Sequence, residues 1–126
     1  MPVVRHPDGE IYYELLGTGV PILFLLPQSV GPNGNKALVN SLSKKFSVIL
    51  FDQLGTGRSV ANSDKYGPSI SDRMTEISCL LDYLDIEASH LFCHSTGCGL
   101  GISWASSRPP RVKTLTLVNP WSYADE

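Results

Sequence analysis

His90-Leu91-Phe92-Cys93-His94-Ser95-Thr96-Gly97 decides the reading of this chain. A run of strand character, His90 to Cys93, passes directly into a helical stretch, Thr96 to Ser107, with Ser95 at the junction. A serine held between the end of a strand and the start of a helix sits on a sharp, strained turn that lifts its hydroxyl clear of the sheet rim. That turn needs small residues two places before and two places after the serine, and Cys93 and Gly97 stand there. The helix that follows aims its unpaired N–H groups and positive end at the same spot, where an oxyanion would be stabilised.

Working outward, two hydrophobic periods alternate along the chain. Glu10 to Leu16 alternates as a half-buried strand, while Pro21 to Leu26 and Phe46 to Phe51 are solidly apolar, as strands covered on both faces are. Lys36 to Lys44 predicts a helix with Leu38, Val39 and Leu42 inward. A second helix is capped by Ser69 or Ser71, with Asp72 near its positive end and Met74, Ile77, Leu81 and Leu84 toward the core. Val112 to Val118 is the last strand, and Pro27 to Asn35 and Asp52 to Pro68 are loops. The order β, β, α, β, α, β, α, β implies an α/β fold with a mostly parallel sheet, helices on both faces and right-handed crossovers. Reactive groups in such sheets gather at the carboxyl ends of the strands, which brings Pro27–Ser29, Asp52–Gly57, His94–Gly97 and Asn119–Trp121 to one rim.

Three of these rim segments together resemble the α/β-hydrolase fold family. Cys93-His94-Ser95-Thr96-Gly97 is similar to its Gly-x-Ser-x-Gly elbow, with cysteine for the first glycine. Asp52-Gln53-Leu54-Gly55-Thr56-Gly57-Arg58-Ser59 resembles its Asp-x-x-Gly-x-Gly-x-Ser loop, and the opening Asp-Gln is reminiscent of the proline iminopeptidase branch. Leu25-Leu26-Pro27-Gln28-Ser29 stands where that family carries its oxyanion loop, with Pro-Gln in place of His-Gly. The resemblance implies a serine hydrolase acting on an ester, amide or related acyl bond of a small molecule or peptide, without cofactor or metal. Ser95 would be the nucleophile, and the amides of Thr96 and Ser29 the oxyanion donors. In this family acid and histidine follow the serine, yet no histidine follows Ser95, and Asp125 and Glu126 are its only later carboxylates. Asp125 is the candidate acid. Residues 1–126 therefore read as the amino-terminal portion of a single domain, an incomplete α/β-hydrolase fold.

Other readings of the same residues stay open. His94 adjoins the serine and points away from it, His90 begins a buried strand, and His6 lies at the amino terminus; each is more simply structural than a base. Asp52 and its glycines read as a turn, and Trp121 and Tyr123 as pocket or packing residues. Gly97-Cys98-Gly99-Leu100-Gly101 opens a helix as a dinucleotide loop does, but its spacing differs and close packing of the helix explains it better. A rival function is a catalytically silent protein that binds a ligand or partner. The last strand would then present an open edge that invites self-association or docking.

Composition narrows the classes further. The 126 residues are 42% hydrophobic and 17% charged, with net charge −2, so the clustered Lys and Arg of a nucleic-acid surface are absent. The longest apolar run, Val20 to Pro27, is too short for a membrane span, and the amino terminus lacks the apolar core of a secretory signal. A cytoplasmic protein is expected. Cys79, Cys93 and Cys98 make no C-x-x-C pair and read as small buried hydrophobes.

Overall fold

The computed structural model describes residues 2–26 and 36–119. Within them the chain runs β1 (Val3–His6), β2 (Gly9–Leu16), β3 (Val20–Leu25), α1 (Lys36–Leu42), β4 (Phe46–Phe51), β5 (Val60–Ala61), α2 (Ile70–Tyr83), β6 (Ser89–His94), α3 (Gly97–Ser107) and β7 (Val112–Val118), with a 3-10 turn at Pro109–Arg111. The strands form one mixed sheet in the order β1-β2-β4-β3-β6-β7, and the two-residue β5 pairs with β2. β4, β3, β6 and β7 are mutually parallel, whereas β1 and β2 are antiparallel additions.

Two apolar layers flank this sheet, as the solidly hydrophobic central strands require. On one face α2 and α3 bury Ile77, Leu80, Leu81, Leu100 and Trp104 against Leu23, Leu25, Ile49, Leu91 and Cys93. On the other, α1 packs Val39 over Ile22, Phe24, Val48 and Leu50. β3→α1→β4 steps one way across the sheet and β6→α3→β7 the other. Right-handed crossovers that step in opposite directions put their helices on opposite faces.

The core strands, the three helices and the last strand fall where the sequence predicts them, within a residue or two. β1 is an addition: Pro7-Asp8 turns the chain so that His6 pairs with Gly9 and Val3 with Tyr12. β5 interrupts the stretch expected to be loop throughout. Leu38 is the one expected inward residue that the structure turns out, at 37% exposure, because among the described residues no second helix lies beside α1 to cover it. Cys93 and Cys98 are buried, while Cys79 is only half-buried, its thiol donating to the Arg5 carbonyl at 3.2 Å. Ser69, not Ser71, caps α2: its hydroxyl accepts from the Asp72 amide, and the Asp72 carboxylate accepts from the Ser69 amide. Those bonds from Ser69 hold the Asp72 carboxyl below its usual range. Among the described residues no helix is long and apolar enough to cross a membrane.

Candidate active site

Ser95 stands between β6 and α3 with φ 55, a left-handed conformation that an L-residue adopts at a cost of about 1–3 kcal/mol. The N-cap of α3 is the next residue, Thr96, so the serine is not itself the cap. Neighbouring backbone fastens the turn. The Ser95 amide donates to the Val118 carbonyl at the end of β7 at 2.9 Å, and the Cys98 amide donates to the Ser95 carbonyl at 3.0 Å. Ser95 itself is half-buried and Thr96 exposed at the start of α3, whose first N–H groups have no acceptor within the helix.

The small residues around the serine are explained by what surrounds them. A Cβ on Gly97 would overlap the Leu25 carbonyl of β3, so α3 approaches the sheet closely only because that position is glycine. Cys93 fills the place of a glycine, and α3 accommodates it by being glycine at 101, where a Cβ would overlap the Cys93 sulfur. Burial, then the neighbouring Cys98 thiol, pushes the Cys93 thiol up to about 12. It is a packed apolar group and no competing nucleophile. Gly99, between these two, meets nothing within 4 Å.

A second rim loop, Asp52 to Ser59, is held by its own hydrogen bonds. The Asp52 carboxylate accepts from the Arg58 amide at 2.8 Å and stands where a Cβ on Gly57 (φ 52) would fall. The Ser59 hydroxyl donates to the Asp52 carbonyl at 2.5 Å and accepts from the Tyr12 amide at 2.8 Å. These residues are a turn, as expected. Sequence reasoning missed the anchor beneath it. Glu76 on α2 is fully buried and accepts from the Leu54 amide at 3.1 Å, the Tyr66 hydroxyl at 2.8 Å and Arg73 at 2.9 Å. Arg73 also donates to the Leu54 carbonyl at 3.1 Å, so one ion pair holds both backbone polar groups of Leu54. Burial and the Glu76 carboxylate push the Tyr66 phenol well above its ordinary value. The available signal was an Arg and a Glu three apart on the apolar side of a helix.

None of the three histidines is set to serve the serine. His90 lies toward the opposite end of β6, about 16 Å away at ~3.3 Å per residue, and bonds Thr114 Oγ1 through Nδ1 at 2.7 Å. His6 is on β1, four strands from β6, about 19 Å at ~4.8 Å per strand. His94 adjoins Ser95 but shares the β6 face of His90 and Phe92, and its buried Nδ1 has no hydrogen-bond partner among the described residues. Ser29, Asp125, Trp121 and Tyr123 lie outside the described residues. Among the described residues no three His, Cys, Asp or Glu side chains are grouped to hold a metal ion.

Residues 22–126 match the model of the alpha/beta hydrolase fold family. The chain belongs to the α/β-hydrolase family. It is 35% identical over 126 residues to a putative carbamate hydrolase RutD of Azorhizobium caulinodans, a match covering 99% of this chain and 46% of that protein. To the corresponding protein of Variovorax paradoxus it is 36% identical over 115 residues, 91% of this chain and 40% of that one. Among solved structures, Est816, described as an N-acyl homoserine lactone degrading enzyme, superimposes with a TM-score of 0.84 at 28% identity over 94% of this α/β-hydrolase chain and 45% of its own. The enol-lactonase of Burkholderia xenovorans LB400 shares the fold, with TM-score 0.85 and 24% identity over 94% of this chain and 46% of its own. The α/β-hydrolase chain thus spans about half the length of the relatives it matches, and it carries the amino-terminal part of their fold.

Proposed function

We propose that this α/β-hydrolase chain carries the nucleophilic half of a serine hydrolase that cleaves an ester, amide, carbamate or related acyl bond. The observation that supports it best is Ser95, held in a left-handed turn at the head of α3 by the Val118 carbonyl. In this reading Ser95 Oγ attacks the carbonyl carbon as a base removes its proton. The Thr96 amide donates to the oxyanion, with the Ser29 amide as second donor; one such donor stabilises a transition state by about 3–4 kcal/mol. A histidine then protonates the leaving group, and an acid orients that histidine. Both must come from residues beyond those described, with Asp125 the candidate acid in this sequence. The carbamate hydrolase relatives favour an acyl carbon attached to nitrogen or oxygen.

The test compares fluorophosphonate labelling, read by intact mass, of two folded proteins: the 126-residue chain, and the same chain extended by the carboxyl-terminal portion of the Azorhizobium relative. The extended protein is expected to label rapidly, and Ser95→Ala to abolish labelling. Without a general base the 126-residue chain should label about 100-fold or more slowly. Labelling that persists in Ser95→Ala, or an extended folded protein that does not label, would reject Ser95 as the nucleophile. The latter outcome would favour the silent, ligand-binding reading.

A further inference from the structure

Thr96, the residue after Ser95, stands at the N-cap of α3 but does not use its side chain to cap the helix. A capping hydroxyl accepts from the second or third amide of its helix while its own backbone is extended. Ser69 does this at the head of α2, with φ −81 and ψ 174. Thr96 has helical backbone instead, φ −65 and ψ −22, and makes no side-chain cap bond. The second amide of α3, that of Cys98, is already committed to the Ser95 carbonyl at 3.0 Å. Among the described residues the Thr96 hydroxyl has no hydrogen-bond partner, and Thr96 is exposed on the rim beside the serine.

The backbone on either side of Thr96 is fixed. The Ser95 amide is tied to the Val118 carbonyl at 2.9 Å, and Gly97 sits close against the Leu25 carbonyl. The neighbouring Cys98 thiol is turned to the Val118 carbonyl at 3.7 Å. At the head of α3, residues 95–99, Thr96 therefore carries the one hydroxyl besides that of the serine. A group held in this way needs little reorganisation to meet a substrate.

In the function proposed above, on which this inference rests, the Thr96 amide holds the oxyanion. The side chain of that same residue is then close to the other substituents of the acyl carbon, which share that carbon with the oxyanion. In an ester or amide of a carboxylic acid the acyl substituent is carbon, which makes no hydrogen bond. In a carbamate it is nitrogen, and its N–H donates to a hydroxyl oxygen. We propose that Thr96 Oγ1 accepts a hydrogen bond from nitrogen on the acyl carbon, so that Thr96 selects carbamoyl over alkyl acyl groups for transfer to Ser95.

The experiment compares para-nitrophenyl carbamate with para-nitrophenyl acetate, which differ by an amino group against a methyl group on the acyl carbon. With each, Ser95 Oγ bonds that carbon, para-nitrophenolate leaves, and the serine proton passes to a base or to solvent. Rates are followed by nitrophenolate release from the extended protein and by intact mass of the 126-residue chain, with the Ser95→Ala rate subtracted. Thr96→Val keeps the backbone amide and the shape of the side chain. It should lower the carbamate-to-acetate ratio about ten-fold, the contribution of one hydrogen bond in a transition state. Thr96→Ser, which returns the hydroxyl, should restore most of that ratio. Circular dichroism confirms that each variant is folded. An unchanged ratio in folded Thr96→Val would overturn the proposal, and equal losses with both esters would do so by making the hydroxyl an oxyanion donor. A ratio that Thr96→Ser does not restore would overturn it as well. Absence of Ser95-dependent acylation by either ester is a different result, which would reject the nucleophile and this inference with it.

Discussion

Replacing Gly101 by alanine should destabilise this chain, although the same change in most helix interiors stabilises. Alanine is favoured over glycine by about 1 kcal/mol in a helix, and Gly101 is four residues from the start of α3 at Gly97 and six from its end at Ser107. Here the added Cβ would overlap the Cys93 sulfur while meeting Leu115 Cδ1 at an ordinary 3.5 Å. Overpacking of this kind costs about 1–3 kcal/mol, so the net effect is a loss of up to about 2 kcal/mol. The partner substitution reverses the sign. Cys93→Ala removes the sulfur and leaves Cys93 Cβ 3.5 Å from the new methyl, ordinary contact. In that background Gly101→Ala should stabilise by about 1 kcal/mol, giving a coupling of about 1–3 kcal/mol between the two sites. The measurement is a double-mutant cycle of urea unfolding followed by circular dichroism. Equal destabilisation in both backgrounds, or stabilisation in the starting sequence, would refute the idea that glycine at 101 compensates for cysteine at 93.

Other consequences follow from the same geometry. Gly97→Ala drives a methyl into the backbone carbonyl of Leu25, which cannot rotate aside; a loss of about 3 kcal/mol should appear in urea unfolding, together with loss of fluorophosphonate labelling in the extended protein. Glu76→Leu leaves Arg73, the Tyr66 hydroxyl and the Leu54 amide without their acceptor. It should cost about 3–5 kcal/mol, whereas Glu76→Gln, which keeps an acceptor oxygen, should cost clearly less in the same thermal or urea melt. The Cys93 thiol, raised from 9.0 to about 12 by burial, stays protonated in the fold while the unfolded thiol ionises. Its stabilising contribution is therefore complete below pH 9 and lost as pH rises toward about 12. The starting chain should lose stability over that window more steeply than Cys93→Ala, as midpoint denaturation against pH would reveal.

Much of this α/β-hydrolase fold was legible because its signals are local. Solid apolar runs at Pro21–Leu26 and Phe46–Phe51 mark strands covered on both faces, and β7 was bounded correctly at Val112–Val118. The turn at Ser95 was legible for a related reason: a strand, one serine and a helix with small flanking residues leave little conformational choice. What escaped depends on partners distant in sequence. β1 is four residues long and exists because Tyr12 and Ile11 lie beside Val3 and Val4. Leu38 looked inward because helical spacing says which residues share a face but not whether anything covers it. Glu76 was not singled out, because a carboxylate is buried only when its partners arrive together, and Leu54 and Tyr66 reach it from a separate loop.

By itself, then, the amino-acid sequence determined the alternation of strands and helices, the rim on which Ser95 and Asp52 stand, and the identity of the serine at the elbow. It could do so because hydrophobic period, turn residues and small flanking side chains act over a few bonds. Only the tertiary structure decided that Gly101 makes room for Cys93, that Val118 holds the Ser95 amide, that Glu76 anchors the rim loop, and that none of the three histidines meets the serine. Each of these depends on which residues the sheet order brings within contact, and that order is set by the packing of the whole chain rather than by any stretch of it.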